Sequence, residues 1–394
     1  MLRISYYGGI VAVPEWFWLV FVFAYGACIG SFLNVVIYRL PRDKSLTRPP
    51  SSCPACEKRI RFYDNIPLIS WLLLGAKCRY CKARISPRYF VVELLTALLF
   101  VAVFVLYFIT EYRRLGIEAP TGIGMFLAGG WLVYLNAVVL LAGLLAAAAI
   151  DLELWVIPLP VCWFVTVVGL ISASAGVYIV NPDIVWTYKL WPSASARTAA
   201  VTVAAAVGLV ISLVLLWAGV IKRSYQSETD EESPQEDRPD YPHRLEVLKE
   251  IVFLLPIIVC SMGGLWLSRH TSLGLKLSQV PAIAGFLGSL SGYLAGCGIV
   301  WATRILGTLG FGKEAMGMGD VHLMGAAGAV IGPVFVVIAF FIAPFFGLIW
   351  AGFQMFFKKT RQIPYGPFLS LAVFTVMIFH DWFRDYIATL YLYY

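Results

Sequence analysis

Two Cys-x-x-Cys pairs, Cys53-Pro-Ala-Cys56 and Cys78-Arg-Tyr-Cys81, stand twenty-one residues apart. Four thiolates at this spacing can close a tetrahedron around zinc, and with no histidine or fifth ligand beside them the site would be structural rather than catalytic. Two local disulfides or four free thiols are the alternative. Cys28, Cys162, Cys260 and Cys297 sit singly in apolar sequence, where a thiol serves as a small packing residue.

Two carboxylates form the second candidate. Asp151 follows the apolar run Leu140–Ile150, and Asp320 ends Gly317-Met318-Gly319-Asp320. Each taken alone also fits a residue that stops or caps a helix at a membrane surface. Brought together, two carboxylates share a proton, so one acts as base on water while the other protonates an oxygen of the substrate. Gly317 and Gly319 leave the backbone open to an extended peptide. Glu153, two residues beyond Asp151, points to a different helix face and is the rival acid. His322, two residues after Asp320, would titrate near neutral pH. In Ile363–Phe368, Pro364, Gly366 and Pro367 disfavour regular helix and leave backbone groups available to a peptide strand. An ordinary loop entering a helix fits that segment equally.

The elements that must carry these residues lie in a bilayer. The 394 residues are 60% hydrophobic and 13% charged, with a mean hydropathy of +0.80, too apolar for a soluble domain. Their repeated apolar stretches predict an all-α polytopic membrane protein of roughly eight to ten spans. The first, from about Pro14 to Tyr38, lacks a small-residue cleavage pattern and reads as a transmembrane helix. The formal charge of +7 is no nucleic-acid footprint, because its basic excess concentrates between Arg39 and Arg88. Such a segment between spans is expected to face the cytoplasm.

The predicted organisation is a first helix in 1–38, a small cytoplasmic zinc domain in 39–89, and helices carrying Asp151 in 90–180. Additional helices with an acidic loop at 222–249 fill 181–278, and helices carrying Asp320 and the proline-glycine segment fill 279–394. The stretch His322–Phe357 is too long for one helix and, with Pro333 and Pro344, reads as two passes, the first one short. Counting spans puts Asp151 and Asp320 on the face that carries the cysteines. No convincing internal repeat emerges.

The order of these motifs resembles the bacterial type IV prepilin peptidases, leader peptidases and N-methyltransferases of the membrane aspartic (GxGD) type. Carrying the resemblance are Gly30–Pro41, both cysteine pairs, Asp64–Trp71, Ile85–Tyr89 running into Glu93–Ala97, Ile150–Leu152, Gly317–Asp320 and Ile363–Phe368. They are specific in combination and span about three-quarters of the chain. The resemblance implies that Asp151 and Asp320 cut the leader of type IV prepilins or pseudopilins at the inner-membrane surface, and that Cys53, Cys56, Cys78 and Cys81 bind zinc. It also implies methylation of the new amino terminus from S-adenosylmethionine. There is no glycine-rich nucleotide loop of the soluble methyltransferase kind, so that activity rests on the resemblance alone. The chain departs from the family at Ile157-Pro158-Leu159-Pro160, where an acid usually follows the proline, and at His322, usually lysine. Asn181–Ser278 reads as lying outside the common core.

From the residues alone, a proton-coupled transporter or a non-enzymatic assembly factor docking through the zinc domain are the rival classes. Their acids at the surface rather than the midplane weigh against transport.

Overall fold

The computed structural model describes residues 14–180, 190–222, 224, 243–357 and 364–392. The acidic residues between 225 and 242, and Lys358–Ile363, lie outside the described residues. In chain order the helices are α1 (Glu15–Arg39), α2 (Ile69–Leu73), α3 (Pro87–Phe104), α4 (Ile123–Met125), α5 (Trp131–Leu154), α6 (Leu159–Ile179) and α7 (Ala196–Trp217). They continue with α8 (His243–His270), α9 (Leu273–Gln279), α10 (Pro281–Phe311), α11 (Met318–Ile331), α12 (Pro333–Phe357), α13 (Gly366–Ile378) and α14 (His380–Leu392). Among the described residues eight helices are long and apolar enough to cross a membrane, or nine if the bent pair α13 and α14 forms one span.

One expectation gains detail. His322–Phe357 does divide, at Gly332, where φ of +90° ends the fourteen-residue α11 and Pro333 opens α12. The final apolar stretch is not one straight helix: it bends by 73° between α13 and α14. Thirteen residues rise only about 20 Å, less than the hydrocarbon thickness.

The described residues fall into two compact units, one drawn from Met1–Val161, Ile179–Leu190 and Phe345–Tyr394, the other from Cys162–Tyr178 and Trp191–Pro344. In the first, α1 and α3 run antiparallel at close approach. A Cβ on Gly26 would stand 2.9 Å from the Ala97 Cα, and one on Gly30 2.6 Å from the Glu93 Cα. A polar tie crosses the same seam, Asn34 Nδ2 donating to the Tyr89 carbonyl at 3.0 Å, and Glu93 of α3 accepts the Leu68 N–H at the start of α2 at 2.7 Å. Helix α5 joins through Tyr134 Oη, donating to the Phe100 carbonyl at 3.1 Å. At the far end of this unit the buried Asp381 carboxylate pairs with Arg113 and accepts the Arg114 N–H at 2.6 Å, anchoring α14 to the loop after α3.

In the second unit α7 and α8 run antiparallel, with Ser212 Oγ donating to the Phe253 carbonyl at 2.7 Å. Helices α10 and α11 touch backbone to backbone. A Cβ on Gly292 would lie 1.9 Å from the Gly328 carbonyl oxygen, and one on Gly296 2.1 Å from that of Met324. The sequence signal is Gly292 and Gly296 at four-residue spacing, the small-residue pair that lets membrane helices approach, while Gly288 one turn earlier faces the Pro192 backbone instead. Gly292→Val is therefore expected to cost about 3 kcal/mol by overpacking. A lowered thermal midpoint in detergent, with helix content retained, would register it.

Candidate functional site

The cysteine module has scarcely any core of its own. Between residues 40 and 86 only Cys53 and Ser70 are buried. Its order comes from two knuckles of one design. In the first, the Cys53 N–H donates to the Lys58 carbonyl at 3.0 Å, the Glu57 N–H to the Cys53 carbonyl at 2.8 Å, and Ser52 bridges Arg59. In the second, the Cys78 N–H donates to the Ala83 carbonyl at 2.8 Å, the Lys82 N–H to the Cys78 carbonyl at 3.1 Å, and Lys77 bridges Arg84. Glu57 and Lys82 take the same left-handed turn, at φ of 55° and 60°. This is an internal repeat offset by twenty-five residues, Ser51–Ile60 against Ala76–Ile85, which the sequence reading missed because only the cysteines and the final Arg-Ile pair keep their identity.

The four Sγ atoms lie within 4.8 Å of one another, with Cys53 and Cys81 at 3.7 Å. A tetrahedron with Zn–S bonds of about 2.3 Å has edges of about 3.8 Å, so the sulfurs stand at ligand spacing and beyond disulfide length. The amides of Cys81 and Tyr80 hold the Cys78 thiol down to about 6, while burial and the three neighbouring thiols push Cys81 up to about 11, so the four sulfurs share their protons unequally. Arg79 clasps Asp64 through Nε at 2.8 Å, tying the linker to the second knuckle. That guanidinium keeps the Asp64 carboxyl below the usual carboxylate range.

Asp151 lies in the last turn of α5, closed by Trp155 in a left-handed conformation at φ of 59°. It is 6% exposed, and its Oδ2 accepts the Gly366 N–H at 3.0 Å. A Cβ at residue 366 would sit 2.6 Å from that oxygen, so any larger residue would make the carboxylate shift from its place on the amide. Gly366 begins α13, with Pro367 in its first turn and Pro364 just ahead. The rival Glu153 is engaged elsewhere, in an ion pair with Arg88 at the start of α3. That pair also puts the Asp151 end of α5 beside the end of α3 where the cysteine module joins.

In the second unit, Asp320 occupies the first turn of α11, 7% exposed, its N–H donating to the Gly317 carbonyl at 3.2 Å. Gly317 is the N-cap, and a Cβ there would lie 3.5 Å from Asp320 Oδ2, while Gly319 adds no side chain beside the carboxylate. Carboxylates are favoured in the first turn by the free helical amides. His322, two residues further along α11, lies 3.4 Å from Tyr293 Oη and 5.8 Å from the Trp163 ring, neither of which the sequence singled out. Asp151 and Asp320 thus belong to different units, each held by its own surroundings.

The Bacterial Peptidase A24 N-terminal domain family matches residues 24–107, and the Type IV leader peptidase family matches residues 251–352. The cysteine module lies inside the first match and Asp320 inside the second; Asp151 lies between them. Residues 251–278, which the sequence reading set outside the common core, fall within the second match. The chain is 41% identical to a prepilin leader peptidase/N-methyltransferase of Myxococcus xanthus over 45% of this chain and 44% of that protein. It is 27% identical to an Aeromonas hydrophila protein of the same name over 93% of this chain and 92% of the relative. A type 4 prepilin-like proteins leader peptide-processing enzyme of Escherichia coli is 28% identical over 88% of both chains. No solved structure matches.

Proposed function

We propose a catalytic assignment for this chain, which belongs to the bacterial type IV prepilin leader peptidase/N-methyltransferase family, peptidase A24: Asp151 and Asp320 are the carboxylates that cleave the leader of a type IV prepilin. The observation that carries the reading is the pairing of Asp151 with the Gly366 amide, which joins two of the motif segments at one carboxylate. The second acid, in the first turn of a helix opened by glycines, has the access a peptide backbone needs. Four crossings, α6, α7, α8 and α10, separate the two acids, an even number that returns the chain to one face. Twelve Lys and Arg against three Asp and Glu between Arg39 and Arg88 favour the cytoplasm for that face. The prepilin then lies with its apolar segment in the inner membrane and its leader in the cytoplasm.

In this reading the ionised member of the pair takes a proton from water, whose oxygen attacks the scissile carbonyl, while the protonated member donates to the carbonyl oxygen. The proton passes on to the departing amine. Cys53, Cys56, Cys78 and Cys81 hold a structural zinc ion that fixes the module between α1 and α3. Methylation of the new amino terminus, with S-adenosylmethionine as donor, is carried by the relatives' names, and no residue here is assigned to hold the donor. Purified protein incubated with a prepilin and S-adenosylmethionine is expected to yield, by intact mass, the leaderless chain bearing one methyl group. A prepilin recovered at its original mass would overturn the peptidase reading; leader loss without added mass would remove the methyl transfer alone.

A further inference from the structure

Three glycines within eight residues, Gly312, Gly317 and Gly319, make the approach to Asp320 open to a peptide and also intrinsically loose. Gly312 ends α10 at φ of +67° and turns the chain back along that helix. Stiffness must come from outside the loop, and α10 supplies it. Arg304, 3% exposed, donates through Nη1 to the Met316 carbonyl at 2.5 Å and to Glu314 Oε1 at 2.6 Å. Thr308, one turn on and 1% exposed, accepts the Ala315 N–H at 3.3 Å. The guanidinium is itself held from behind: its Nε donates to Glu250 Oε1 of α8 at 3.0 Å, and Glu250 Oε2 accepts Trp301 Nε1 at 2.9 Å. Glu250 is 3% exposed, so this is a desolvated pair with a defined geometry rather than a surface contact.

We infer that Arg304, braced by Glu250, is the positioning residue for Asp320: it clamps the Met316 carbonyl immediately before the Gly317 N-cap and so sets where the carboxylate stands. The inference rests on the catalytic assignment of Asp320. From the clamped carbonyl to the Asp320 amide the path is short, because the Asp320 N–H is bonded to Gly317 itself. A planar fork that reaches Glu250, Glu314 and Met316 together has no equivalent in lysine, whose single ammonium keeps the charge facing Glu250 but cannot hold all three.

The test compares Arg304→Lys, Thr308→Val and Asp320→Asn with the unaltered full chain in lipid vesicles, using a prepilin as substrate. Arg304→Lys is expected to lower kcat about 10-fold to 100-fold with KM within about twofold, since a misplaced group costs rate and not binding. Thr308→Val, which leaves the charges untouched, is expected to move kcat several-fold in the same direction, again at constant KM. An unchanged kcat for Arg304→Lys overturns the inference. So does a fall in kcat accompanied by an equal loss of folded protein, read as thermal midpoint, in both variants. Asp320→Asn separates the two levels: if it still cleaves, the assignment beneath the inference fails; if it is inactive while Arg304→Lys cleaves normally, only the positioning role fails.

Discussion

Asp151→Asn and Asp320→Asn are each expected to reduce leader cleavage by about 10³-fold, the scale of losing a positioned acid or base. The substitutions are chosen for what they keep. An asparagine at 151 retains an oxygen that can accept the Gly366 N–H, and one at 320 retains the size of a side chain in the first turn of α11. What disappears is the ability to exchange a proton with water or with the carbonyl oxygen. Each variant leaves one carboxylate in place, and one alone cannot serve as base and acid in the same encounter. Glu153→Gln is the matched control, because Glu153 is tied to Arg88 rather than to the Gly366 segment. Cleavage near the normal rate by either aspartate variant would exclude the pair. Loss of cleavage in Glu153→Gln to the same extent would move the chemistry to the rival acid.

What the sequence made legible follows from where the physics is local. Spans are visible because the bilayer demands about twenty apolar residues in a row, and the split of His322–Phe357 was announced by its length and its prolines, of which Pro333 marks the place. The four-cysteine group that could hold a metal was visible because both pairs close tight local loops. The contact between Asp151 and Gly366 was not, since it joins residues 215 positions apart, although both segments had been singled out. The seams of α10 with α11 and of α1 with α3 were written in glycines, yet a glycine alone does not name its partner. Arg304 was the least legible: on an apolar helix a single arginine reads as a snorkelling charge, and its meaning depends on Glu250, fifty-four residues earlier. The bend at Phe379 also escaped, although four titratable residues, His380, Asp381, Arg384 and Asp385, follow it directly; what the sequence does not name is the partner, Arg113 and Arg114, on which Asp381 is anchored.

Loss of metal is expected to unfold the cysteine module while leaving the helices around it assembled. Zinc bound by four thiolates contributes on the order of 10–16 kcal/mol of apparent binding free energy, and in a small module that energy is folding energy. Here there is little to replace it: from residue 40 to 86 only Cys53 and Ser70 are buried, and the paired turns contribute a few backbone hydrogen bonds each. The flanking helices have other ties, in the Gly26 and Gly30 contacts and the bond from Asn34 to the Tyr89 carbonyl, so α1 and α3 do not depend on the metal. Protein purified without chelator should therefore contain about one zinc per chain, and Cys53→Ala or Cys78→Ala about none. Limited proteolysis of either variant, or of the chelated protein, should cut within residues 43–86 and spare the spans. A Cys53→Ala protein with its full metal content would sink the ligand set. Chelated protein that resists cleavage there would show that the two knuckles hold together through their own backbone, and the metal would then be a passenger in a fold that does not need it.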